Sequence, residues 1–111
     1  MFLDTQLKVR RFTPAINDLL ELLPADIGRP LAHLAQKFSD GDLIADATEV
    51  LARLAPLEAE ALSHSGRWYL RRTLPYRTED NRIAGIVITF VDITARKHAE
   101  QSIAAGQARL Q

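Results

Sequence analysis

The run Pro75-Tyr76-Arg77-Thr78-Glu79-Asp80-Asn81-Arg82-Ile83-Ala84-Gly85-Ile86-Val87-Ile88-Thr89-Phe90-Val91-Asp92-Ile93-Thr94 decides the fold. A polar turn over 78–82 feeds an apolar strand, the strand stops at Asp92-Ile93-Thr94, and a charged, Ala-rich helix follows from Ala95. Ile86-Val87-Ile88 and Phe90-Val91 place apolar side chains on both faces. Such a strand needs cover on both sides, so it is expected at the centre of a sheet. The sheet-to-helix junction at 92–95 suits a signal-coupling module better than a self-sufficient enzyme.

Upstream, the period of two extends through two further segments. Leu57, Ala59 and Ala61 alternate with Glu58 and Glu60, and His64-Ser65-Gly66 then turns the chain. In the next strand Trp68, Leu70, Arg72, Leu74 and Tyr76 share one face, and Tyr69, Arg71 and Thr73 share the other. Phe2-Leu3-Asp4 and Leu7–Phe12 are short strand candidates around a polar turn. Between these two groups of strands the period is helical. Thr13-Pro14 is a helix start, with Ile16, Leu19, Leu20 and Leu23 as its apolar face and Pro24 as its stop. A bend at 24–30 precedes a short amphipathic stretch around Leu31 and Leu34. Leu43, Ile44, Ala47, Val50, Leu51 and Leu54 then mark the best helix, with Asp40 or Asp42 as its cap and Pro56 as its end. Strands grouped around a helical insert predict an α+β fold with an antiparallel sheet.

The chain has 111 residues, enough for one domain and one core. Lys plus Arg number 14 and so do Asp plus Glu, which removes the usual electrostatic drive towards nucleic acid or anionic membrane. With no cysteine, disulfides, thiolate metal sites and a cysteine nucleophile are excluded. No apolar run approaches the roughly 20 residues of a membrane helix. Met1-Phe2-Leu3-Asp4 lacks the basic and apolar regions of a signal peptide, so a cytoplasmic location is expected. The abrupt opening strand suggests a piece of a longer protein. Charge is uneven: Asp40–Glu60 holds six acids and one Arg, Arg67–Arg82 five Arg and two acids. That asymmetry fits either a solvated, internally paired surface or a docking face.

Two strands, short helices, three strands and a terminal Asp92-Ile93-Thr94 before a helix together resemble a PAS domain, and Gly66-Arg67-Trp68 is similar to that family's turn into its fourth strand. Phe2-Leu3-Asp4, Val9-Arg10-Arg11-Phe12-Thr13-Pro14-Ala15, Ile27-Gly28-Arg29-Pro30-Leu31, Arg67-Trp68-Tyr69 and Pro75-Tyr76-Arg77-Thr78 further resemble the PAS module of bacterial CheB/CheR-type chemotaxis methylesterase–methyltransferase fusions, often linked to a histidine kinase. The resemblance implies a PAS-like five-stranded antiparallel sheet with a helical insert on one face. It divides the chain into a PAS core over 1–94 and a connector helix over 95–111. It also implies a non-catalytic sensory role in a two-component or chemotaxis protein, a homodimer, and neighbouring signalling domains in the parent chain. Many PAS domains carry a helix before the first strand, and nothing precedes Phe2 here except Met1.

By the same resemblance Asp92 and Thr94 tie the last strand to the preceding hairpin and set the exit angle of the helix, with Arg67 as the partner of Asp92. Asp92 or Thr94 would equally serve as an ordinary helix cap. Leu23, Ile27, Leu34, Leu54, Leu70, Arg72, Tyr76 and Ile88 are candidates for a ligand pocket, or for a solid core. Arg72 there would bind a carboxylate or phosphate, pair with Asp26 or Glu21, or snorkel to the edge. His33 lies where a haem-binding relative would place its axial ligand, but a helix-surface role is the simpler reading; His64 and His98 are expected in solvent. No resident cofactor is expected, though a small-molecule ligand is compatible; a ligand-free dimerisation or docking module and a haem- or flavin-bound sensor are the alternative readings, and no catalytic constellation, metal-ligand spacing or phosphate-cradling loop is present. Ala99, Ile103 and Leu110 are candidate seam residues of the terminal helix, interrupted by Gly106.

Overall fold

The computed structural model describes the backbone of residues 1–37, 42–63 and 65–109. Five strands, β1 (Phe2–Asp4), β2 (Val9–Arg11), β3 (Leu57–Leu62), β4 (Trp68–Arg77) and β5 (Ile83–Asp92), form one antiparallel sheet in the order β2-β1-β5-β4-β3. The doubly apolar strand is therefore the central one. The insert between β2 and β3 carries three 3-10 segments, Pro14–Asp18, Pro24–Asp26 and Leu31–Lys37, and the helix α1 (Leu43–Arg53). A C-terminal helix, α2 (Thr94–Arg109), leaves the end of β5.

The core lies between the insert and one face of the sheet. Leu3, Ile86, Ile88 and Ala61 from the strands meet Ile16, Leu19, Leu20, Leu31 and Leu34 from the 3-10 region. Leu43, Ala47 and Val50 supply the α1 stripe. The helix ends at Leu54, whose φ of 58° is left-handed and breaks the ladder. Asp42 occupies the N-cap position, its carbonyl accepting the Asp46 N–H at 2.9 Å, but its side chain makes no capping hydrogen bond. Asp40, the alternative cap, lies outside the described residues, as do His64 and Leu110.

The expected helix over 14–23 is only a 3-10 segment. Ile16, Leu19 and Leu20 are buried, but the period then breaks: Leu22 is buried and Leu23 is exposed. The cause is where the backbone groups go. The N–H of Val9 donates to the Arg29 carbonyl, that of Gly28 to Val9, and that of Leu31 to Leu7. The bend is thus stitched to β2, and Gly28 makes it with a φ of 92°.

At Gly85 the sheet is drawn tight. A Cβ there would fall 1.9 Å from the Leu3 carbonyl oxygen, so only glycine lets β1 seat against β5. With no side chain between them, the rings of Phe2 and Tyr76 meet edge to face across Gly85, centroids 5.3 Å apart.

The two faces of β4 are the reverse of the pocket expectation. Tyr69, Arg71 and Thr73 point at the insert; Trp68, Leu70, Arg72, Leu74 and Tyr76 point outward. Arg71 is 1% exposed, and its Nη1 donates to Asp46 Oδ2 of α1 at 2.8 Å. Asp46 lies on the row of α1 between Leu43 and Val50, so a buried charge on the strand meets an acid on the apolar stripe of the helix. Arg72 instead pairs with Glu58 on the outer face at 2.9 Å, not with Asp26 or Glu21. Asp26 is buried, accepting from the Leu23 N–H and from Arg29. Arg71→Ala is expected to destabilise the fold by about 3 kcal/mol, since it empties a fully buried side-chain site and removes the partner of the partly buried Asp46. Arg72→Ala should stay within about 0.5 kcal/mol of the parent, as for an exposed pair. Urea denaturation of the two variants checks the assignment.

Candidate functional site

The site is the corner where the β3–β4 hairpin, the end of β5 and the start of α2 meet. The hairpin is preset by its own polar groups. The Ser63 N–H donates to the Arg67 carbonyl at 2.9 Å, and Ser63 Oγ accepts the Arg67 N–H at 3.1 Å. Gly66 closes the turn with a φ of 86° and donates to the Ser63 carbonyl. This turn aims the Arg67 side chain across β4 towards the last residue of β5.

Asp92 receives it. Arg67 Nη1 donates to Asp92 Oδ2 at 2.9 Å, while Asp92 Oδ1 accepts the N–H of Thr94, also at 2.9 Å. Thr94 reaches back to the other strand: its Oγ1 accepts the Trp68 N–H at 2.9 Å and lies 3.4 Å from the Trp68 carbonyl, to which it can donate. Between them, Ile93 is buried and its N–H donates to the same Trp68 carbonyl at 2.8 Å. Capping and cross-strand pairing therefore coexist in one carboxylate. Asp92 satisfies the first orphan donor of α2 and holds the hairpin at the same time.

Sequence reasoning missed a second contact between α2 and the sheet. Lys97 Nζ lies 2.5 Å from Glu60 Oε2 on β3 and 4.8 Å from the centroid of the Trp68 ring, while Arg96 approaches the same Glu60 at 3.6 Å. The signal was present as acids alternating along β3 and bases one turn into α2. The pairing depended on the exit direction of α2, which no local pattern carries.

The electrostatics follow these contacts. The hydrogen bonds from Thr94, and then that from Arg67, lower the Asp92 carboxyl from the usual 3.8 to about 2. The Lys97 hydrogen bond lowers Glu60. At Asp4, desolvation raises the value, but the Lys8 and Gln6 N–H groups and Arg10 outweigh it and the net shift is downward. A depressed carboxylate stabilises the fold fully above its unfolded pKa and loses that contribution as pH falls through the folded one. For Asp92 that window runs from about 4 down to about 2.

The pocket candidates do not converge. Leu34 and Ile88 are core residues, Leu23, Ile27 and Leu54 are exposed, and Leu70, Arg72 and Tyr76 lie on the outer face. A cavity of about 320 Å³ opens elsewhere, between the Pro14–Asp18 segment and β5, lined by Met1, Thr13, Ile16, Leu19, Tyr69, Ile88, Thr89 and Phe90. Ile88 is the one expected lining residue it includes. Met1, Ile16, Leu19, Ile88 and Phe90 line it with apolar residues, and Thr13 and Tyr69 are polar residues beside them. His33 and His98 are exposed. Among the described residues no group of acids and histidines could hold a metal ion, and no helix is long and apolar enough to cross a membrane.

A central five-stranded antiparallel sheet, helices on one face and a helix latched to the last strand define an α+β module with an exit helix. Residues 1–94 match the family model of the PAS domain, and the chain belongs to that family. It is 36% identical over 100 residues to an uncharacterised 104.1 kDa protein encoded in the hypE 3' region of Rhodobacter capsulatus. The match takes in 90% of this chain and 10% of that protein, so the chain spans about a tenth of its relative. The structure of VqmA bound to DPO superposes with a TM-score of 0.56 at 16% identity, over 82% of this chain and 50% of that one. That likeness is one of fold.

In an NMR titration the Asp92 carboxyl should ionise with a midpoint near 2. In Arg67→Ala the midpoint should rise but stay below the ordinary carboxylate value, because the Thr94 contribution, the larger one, remains. A midpoint near 4 in the unaltered chain would show that the corner is not closed in solution.

Proposed function

We propose that this chain is a non-catalytic sensory and signal-transmission module of a larger bacterial cytoplasmic signalling protein. It couples the sheet, and a small-molecule pocket against it, to the exit helix. The observation that carries this reading is the corner at Asp92 and Thr94. Any shift of β5 relative to the β3–β4 hairpin alters the two attachments of Thr94 and Asp92, and so the direction in which α2 leaves. Residues 1–94 are the core in this reading and 95–111 the connector. The small, largely apolar cavity between Ile16, Tyr69 and Ile88 is the place for a ligand. A chain of the same fold, VqmA, binds DPO.

The motifs Val9–Ala15, Ile27–Leu31, Arg67–Tyr69 and Pro75–Thr78 favour a chemotaxis methylesterase–methyltransferase fusion with kinase output. The Rhodobacter relative, about ten times the length of the matched segment, favours only a large parent chain.

A second reading, dimerisation or docking without a ligand, is favoured by the outward apolar side chains of β4 and β5. Tyr76 and Val91 are about half exposed there. The two readings are compatible, and a homodimeric sensor contains both.

In the full-length parent, Asp92→Ala and Thr94→Ala should each leave the module folded and abolish the dependence of kinase or methyltransferase output on its stimulus. Output measured with and without stimulus decides. Unchanged regulation in both variants would overturn the coupling role.

A further inference from the structure

The cavity between the Pro14–Asp18 segment and β5 is defined by what its walls leave out. None of the side chains lining it belongs to an acid, a lysine, an arginine or a histidine. Arg71, two positions beyond Tyr69 on the inward face of β4, is already held by Asp46 of α1 at 2.8 Å. The Met1 amino group does lie beside the cavity, but it donates to the Ile88 carbonyl at 2.8 Å. Burial pushes its pKa below the ordinary value. The surroundings therefore already disfavour a charge.

Thr13 and Tyr69 bring hydroxyl groups to this apolar lining. Thr13 stands at the N-cap of the Pro14–Asp18 segment, where a threonine ordinarily bonds the first free N–H groups, yet its side chain makes no capping bond. Its hydroxyl has no hydrogen bond among the described residues, and the residue is exposed, so a donor and acceptor stand unused at the cavity mouth. Behind it Ile16, Leu19 and Ile88 are buried. The volume of about 320 Å³ is at the lower end of the roughly 300–1,000 Å³ of small-molecule sites. An apolar cavity of about 150 Å³ takes one benzene ring, so this one suits one or two rings. A carboxylate or phosphate moved here loses hydration against Ile16, Leu19 and Ile88, with no cationic side chain to receive it.

Resting on the pocket reading above, we infer that this cavity selects an uncharged, compact molecule of one or two rings whose hydrogen-bonding group meets the Thr13 hydroxyl, and that it discriminates against carboxylates and phosphorylated cofactors. The apolar body of such a molecule lies against Ile16, Leu19 and Ile88, and its ring packs on Tyr69 and Phe90. A haem, with two propionates and a far larger ring system, fails on both charge and size.

Three probes separate the parts of this claim: xenon, which needs only apolar volume; benzyl alcohol; and benzoate, which has the same ring and a charge. Methyl NMR of Ile16, Leu19 and Ile88 reads all three at pH 7. Xenon and benzyl alcohol should give saturable shifts of these methyls, and benzoate should bind at least about 10-fold more weakly than benzyl alcohol. Thr13→Val keeps the side-chain shape and removes the hydroxyl. It should weaken benzyl alcohol by about 3- to 10-fold and leave the xenon response unchanged. A circular dichroism melt confirms that the variant folds. Benzoate binding as tightly as benzyl alcohol, an unchanged benzyl alcohol affinity in Thr13→Val, or a xenon response with none to benzyl alcohol would each overturn the ligand class and leave the pocket standing. No methyl shift with any probe would overturn the pocket reading as well.

Discussion

One pair of hydrogen bonds organises the molecule's exit: the Trp68 N–H donating to Thr94 Oγ1, and the Thr94 N–H donating to Asp92 Oδ1. Threonine at 94 is thereby part of two elements at once. It begins α2 and it completes the register of β4 against the end of β5. Without it the helix would still have its backbone ladder, but its first residue would lose its attachment to β4. Arg67 and Lys97 extend the same constraint to the β3–β4 hairpin and to β3. All of these groups are at least partly exposed, so their importance is geometric more than energetic. The fold itself is held by the apolar layer behind the sheet and by the Arg71–Asp46 pair within it.

The sheet and the exit helix thus have separate supports. The core residues Leu3, Ile86 and Ile88 anchor the centre of β5, and the polar corner governs only its last residues. A module built this way can change the attitude of α2 without unpacking its interior. The cavity beside Tyr69 and Ile88 lies between those two supports. Tyr69 is paired in register with Asp92, which puts that cavity one residue from the corner.

Much of this was legible in the sequence for identifiable reasons. The central place of β5 followed from Ile86-Val87-Ile88 and Phe90-Val91, because two apolar faces demand two covers. The site residues Asp92, Thr94 and Arg67 were legible from a motif, and their geometry is local to one corner. The facing of β4 was not. Its apolar side chains, Leu70, Leu74 and Tyr76, point outward, and its inward positions hold Arg71 and Thr73. Hydrophobic alternation alone assigns such a strand upside down. The resolving signal was Asp46 on the apolar stripe of α1, an acid that makes sense only opposite a buried base. The short 3-10 segments were also beyond local pattern, since they follow from backbone bonds between 28–31 and β2. Lys97 needed the path of α2 to be known before its partners could be named.

The central claim is that Thr94 fixes the direction of α2 relative to the β3–β4 hairpin. Spin labels at Ser65→Cys and Glu100→Cys report that relation directly by electron-spin distance measurement. The account predicts one narrow distance distribution in the Thr94 chain and a clearly broadened or shifted one in Thr94→Val. A narrow distribution unchanged by Thr94→Val would contradict it.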